Sequence, residues 1–226
     1  MTTSTTLRAP SVPRALPPVP ERPWMQRALP GAGAVYVLAW LAGLLVAPAT
    51  PGTADAGAVH AFFTASADAF VRQALLVHGL AGLALVGLAV GFAVAVGPGR
   101  AGRWIAGTGV AAAGVSLLQV GMGIAAAHDV AHTPASTTTS WLQAVNVADV
   151  AKLLLLAALV AVTTRAAGRA GRLPRWLRLL GWVLVPLLAV GGFAFLVPTP
   201  ALTVALTASL PTLLAWAGAA AWRLRR

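Results

Sequence analysis

The chain contains no cysteine, which excludes disulfides, zinc–thiolate sites, iron–sulfur clusters and thiol nucleophiles together. Charge is scarce: Asp, Glu, Lys and Arg make up 9% of the 226 residues, against roughly 25% in a soluble domain. Acidic residues number five against sixteen basic ones, and lysine occurs once, as Lys152. No Gly-rich phosphate loop, nucleophile elbow or carboxylate pair appears, so nothing in the chain supports an enzyme. What fills the space is apolar. Hydrophobic residues reach 58% and the mean hydropathy is +0.82. A soluble protein so poor in charge could not cover its own surface, whereas lipid can.

The net charge of +11 is not a nucleic-acid signature, because no nucleic-acid motif accompanies it. Fifteen of the sixteen basic residues lie outside the apolar runs, where they set topology and meet anionic lipid headgroups. Residues 1–30 hold seven of the sixteen prolines and four arginines. That stretch has too little apolar surface to repay its ordering entropy, so a disordered cytoplasmic tail is expected. The rest, 31–226, reads as one membrane domain.

Six apolar runs follow, at about 32–49, 74–96, 104–126, 142–164, 179–197 and 201–222, each close to the ~20 residues that cross a bilayer. Arginine marks alternate connections. Arg100 and Arg103 lie between the second and third runs. Arg165, Arg169, Arg172, Arg175 and Arg178 lie between the fourth and fifth, and Arg223, Arg225 and Arg226 end the chain. Segment 50–73 has only Arg72, while 127–141 and 198–200 have no basic residue. The positive-inside rule turns this alternation into an all-α bundle of six transmembrane helices with both termini in the cytoplasm. Changing the helix count by one destroys the alternation.

Smaller signals agree. Trp24, Trp104, Trp141, Trp176 and Trp222 lie near run ends, where indole rings suit the headgroup layer. Gly87 and Gly91 make a GxxxG step for close helix packing, and Pro186 and Pro211 fall inside the last two runs. In the outer segment Phe63, Ala67 and Phe70 share one helical face, so a surface-lying helix is expected there. Asp68 and Arg72, four apart, can pair on it. A rival topology treats the first run as a signal peptide cleaved near Ala47-Pro48-Ala49, leaving five helices.

The fourth run carries Gln143, Asn146, Asp149 and Lys152 at steps of three. Each step falls about 60° short of a full turn, so neighbours share a face while the row winds around the helix. Lys152 lies near the expected midplane and Asp149 one turn outward, within pairing reach. An isolated charge there costs roughly 2.5–3.5 kcal/mol. Arginine stays charged almost anywhere, whereas a buried lysine can shed its proton, and the midplane position uses the only lysine in the chain. His78 and Gln119 fall at matching depth on neighbouring runs. His78, Gln119, Asn146, Asp149 and Lys152 therefore make a candidate outward-facing polar pocket. The bland reading is an internal ion pair with interhelical amide hydrogen bonds and no ligand.

His128 and His132 are i, i+4 if the third run extends that far and are weak metal candidates. A haem held between His78 and one of them is a further option; no cofactor is otherwise implied. Finally, Leu173-Pro-Arg-Trp-Leu-Arg-Leu-Leu-Gly-Trp, an apolar Gly-containing helix and the ending Trp-Arg-Leu-Arg-Arg resemble six-helix bacterial membrane proteins of unknown function common in high-GC actinobacteria. The chain departs from their usual pattern in carrying Arg178 where Gly is frequent. The resemblance implies a plasma-membrane location and supplies no catalytic residues. Three functions are open: transport or sensing through the polar pocket, a structural or partner subunit without a ligand, or a haem- or metal-binding redox protein.

Overall fold

The computed structural model describes residues 23–47, 50, 55–128 and 130–225, and everything described is helix or connection. Among the described residues, six helices are long and apolar enough to cross a membrane. The first, α1, runs Pro23–Val46, with proline at the first helical position, where a missing N–H costs nothing. The tail expected over 1–30 lies outside the described residues up to residue 22, and the chain is already helical from Pro23, earlier than expected. Of the triplet that marks the signal-peptide alternative, residues 48 and 49 also lie outside the described residues.

The second span is the longest, at 41 residues. It comprises α2 (Ala56–Ala74), a π-helical stretch (Leu75–Leu80) and α3 (Ala81–Val96). Asp55 caps α2, its carboxylate accepting from the Ala58 N–H at 3.0 Å. Gly97 and Gly99 have positive φ, 98° and 141°, and make the sharp turn into α4 (Arg100–Ala127). A single 3-10 turn, Val130–His132, leads to α5 (Ala135–Arg169). There the helix begins well before its apolar run. Thr139 and Ser140 return their hydroxyl protons to the carbonyls of Ala135 and Ser136, at 2.8 and 2.9 Å. After a loop at Gly171, α6 (Arg175–Gly191) runs into a 3-10 turn, Gly192–Phe195. Thr199 then caps α7 (Pro200–Leu224), with Pro200 at its first position.

The helices close a ring: α1 packs on α3, α3 on α4, α4 on α5, α5 on α6, α6 on α7, and α7 returns to α1. Small residues let them approach. Gly87 meets Ala32 and Gly91 meets Leu29, so the GxxxG step faces α1. Between the helices lies a core that includes Leu88, Phe92, Ile105, Leu156, Leu184 and Trp216, with Phe92 and Trp216 edge to face at 5.8 Å. The outer surface is apolar as well: Leu45, Val204, Leu118 and Leu38 are all more than 60% exposed. A second, smaller cluster corrects one expectation. Phe63 and Phe70 turn inward onto Ala126, Val130 and Leu142 instead of offering a face to a membrane surface. No ion pair joins Asp68 to Arg72 among the described residues.

Candidate functional site

Lys152 is 2% exposed and is held from three directions. Asp149, one turn earlier on α5, brings Oδ1 to 2.5 Å from the ammonium Nζ. Gln119 of α4 brings its Oε1 to 2.9 Å. His78 of the π-helical stretch places Nδ1 at 3.2 Å. An ammonium has three donors and no acceptor, so the three partners use all of its protons. The same count fixes the imidazole: Nδ1 must offer its lone pair to Lys152, which places the His78 proton on Nε2. The remaining open side of the lysine is covered by the Trp40 ring of α1, 5.8 Å from Nζ to the centroid.

Each partner is oriented by its own helix. The Gln119 Nε2 donates to the Val145 carbonyl at 3.2 Å, which fixes which end of the amide faces Lys152. Gln119 is fully buried, so this one side chain ties α4 to α5 at both of its polar atoms. The π-helical stretch inserts an extra residue into the turn carrying His78, with the Ala81 N–H bonding to the Leu76 carbonyl. Such turns recur at functional sites because they re-aim side chains without ending the helix. Trp40 follows the buried Tyr36 by four residues, on the same face of α1.

Two cavities flank this cluster. The larger, about 520 Å³, is bounded by α1, α5, α6 and α7 and has Asp149, Lys152, Trp40 and Ser209 in its wall. The smaller, about 170 Å³, is bounded by Gln73, His78, Asn146 and Thr50 among others. Asp149, Trp40, Leu44 and Phe195 border both. Asp149 is thus a wall residue of both voids.

Of the five residues expected in the pocket, the fold brings His78, Gln119, Asp149 and Lys152 together. Asn146 borders the smaller cavity but is not a partner of Lys152. Trp40, Tyr36, Thr207 and Ser209 were not anticipated. Thr207 and Ser209 are ordinary helix residues with no signal of their own, while Trp40 is distinguished only as a tryptophan in the middle of a run.

The histidine pair is a correction. The helix α4 ends at Ala127, and His128 is extended at φ −75°, ψ 130°. The following turn starts afresh, so His128 and His132 do not share a helical face, and both are exposed. Among the described residues no group of three or more metal-capable side chains gathers. A haem on His78 would require that ring to abandon Lys152. At the arginine-rich end, Arg165, Arg169, Arg172 and Arg175 are exposed and Arg178 is half-buried against Gly168. The Arg172 guanidinium also donates to the Ala95 carbonyl, joining the α5–α6 loop to the end of α3.

Compared with known proteins, the chain matches no family model, no curated protein and no solved structure.

Proposed function

We propose that the protein is a multi-pass protein of the plasma membrane, with six crossings and both termini in the cytoplasm. Its Lys152 cluster serves as the central site of a transporter or sensor, reached from the arginine-poor side. One observation carries this reading: Asp149, the counter-ion of the only lysine, borders two cavities. A pair whose sole duty is to hold helices in register is best sealed by packing, since desolvating two charges already costs several kcal/mol per ion. Here Asp149 borders a cavity on each of two sides.

The chemistry follows from the geometry. The acceptors of Lys152 come from α4, α5 and the π-helical stretch. A ligand or proton that takes the place of one of them alters the hold on that helix. A ligand can shift the arrangement only as far as it binds one state better than the other. The exposed arginines at the opposite end meet anionic headgroups, each contributing on the order of 1 kcal/mol.

A substrate-free measurement tests the reading. The thermal midpoint of the detergent-solubilised protein is followed between about pH 5 and 9 for wild type and for the Asp149→Asn/Lys152→Met double variant. The expected result is a pH-dependent midpoint in wild type and a flat one in a double variant that is otherwise folded. A double variant with the wild-type pH response returns the pair to a purely structural role.

A further inference from the structure

The larger cavity extends this reading, on which it rests, to a class of ligand. Its inner wall is deeply buried, with Leu188 at 0% and Ser209 at 2% exposure. Its rim is not: Leu44 of α1 is 48% exposed, and Thr207 and Pro211 of α7 are also exposed. The exposed rim residues belong to α1 and α7, so the cavity faces outward between those two helices. Nearer the arginine-rich end the two helices leave no gap: a Cβ on Gly33 would lie 2.8 Å from Ala221. The helix surfaces around the opening are apolar, with Leu45 at 89% and Val204 at 69% exposure. A side opening through such a surface leads to hydrocarbon.

Two polar features inside say what the occupant must carry. Pro211 has no N–H, so the carbonyl of Thr207, on the cavity wall, lacks its α-helical donor. The ion pair in the same wall is neutral as a unit, and all three protons of Lys152 are engaged. A carboxylate or phosphate head would face the Asp149 oxygens without a free cation to meet it. An ammonium head would face Lys152. An uncharged head that donates a hydrogen bond suffers neither conflict. At about 520 Å³ the cavity falls in the range of small-molecule sites, roughly 300–1,000 Å³.

We propose that this cavity binds a single-chain amphiphile with an uncharged, hydroxyl-bearing head, of the monoacylglycerol or long-chain alcohol class, admitted from the bilayer between α1 and α7. The chain lies along the leucine wall. The hydroxyl donates to the Thr207 carbonyl or to Asp149.

The whole protein, purified in a zwitterionic detergent, is titrated with monooleoylglycerol and read by native mass spectrometry, with oleate and oleylamine as charged counterparts. One monooleoylglycerol per chain is expected in wild type, with the charged probes weaker by about tenfold or more. Filling the rim by Thr207→Trp, or independently by Leu44→Trp from the other side, is expected to weaken monooleoylglycerol by a similar factor. The proposal is overturned if wild type retains no monooleoylglycerol, if the charged probes bind as well, or if both folded rim variants retain it undiminished. Neither rim substitution alters Lys152 or Asp149. A protein that keeps its pH response but refuses the neutral probe therefore loses the ligand class alone, and the central role of the pair stands or falls on the pH measurement.

Discussion

Lys152 and Asp149 make the clearest case at the scale of single residues. Removing either partner strands the other as a buried charge, a loss of about 3–5 kcal/mol, whereas removing both does not. Asp149→Asn and Lys152→Met should each lower the unfolding midpoint in detergent more than the double change does. Two single variants with wild-type midpoints would mean the residues do not depend on each other. Gln119→Leu removes an acceptor from Lys152 and a donor from Val145, and should cost about 1–3 kcal/mol. The pair was legible because i, i+3 spacing and depth are properties of one helix. His78 and Gln119 were legible by depth alone. Asn146 lines the smaller cavity with His78 and Asp149, while two steps of three put it about 120° around α5 from Lys152. Trp40 belongs to the site only because α1 lies against the π-helical stretch, where Gly43 has no room for a Cβ beside Val77.

Helices and their junctions settle a second group of questions. Periodicity shows that a stretch is helical but not where one turn widens by a residue, so the π-helical stretch at Leu75–Leu80 left no trace in the pattern. Nor does an apolar run reveal how far a helix continues through polar residues. α5 begins at Ala135, well before its hydrophobic part, and its Thr139 and Ser140 hydroxyls bond back to carbonyls four residues earlier. The amphipathic face of α2 was read correctly as apolar but assigned to lipid, because amphipathicity names a face and not its partner. Close contact between elements is also testable. A Cβ on Gly109 would sit 2.2 Å from that of Ala89, between α4 and α3. Gly109→Ala should therefore push two helices apart and destabilise by about 1–3 kcal/mol. An unchanged midpoint would show that α3 and α4 are not so tightly apposed.

For the whole molecule, the arginine pattern and the ring of helices describe the same object from two sides. Arg172 reaching the Ala95 carbonyl puts the α5–α6 loop beside the α3–α4 turn, so two arginine-bearing connections share an end. The apolar cluster of Phe63, Phe70 and Leu142 gathers segments that carry few or no arginines at the other. The proposed orientation predicts that reporter fusions after Arg27, Arg100, Arg172 and Arg226 read cytoplasm, and those near Gly57 and Thr137 read outside. An outside reading at Arg100 would eliminate the six-crossing arrangement with both ends inside.

The number of long apolar helices, their order and the presence of a buried lysine beside an acid are written along the chain, because hydrophobic length and i, i+3 spacing are local quantities. Which side chains complete the lysine, and that its counter-ion borders two cavities, came only from the tertiary structure. A hydrogen bond from α4, an imidazole re-aimed by an extra residue and an indole carried in by α1 meet at one nitrogen only once the ring closes. The side opening between α1 and α7 depends in the same way on how two helices distant in sequence lie together, tight at Gly33 and separated by a cavity at Leu44.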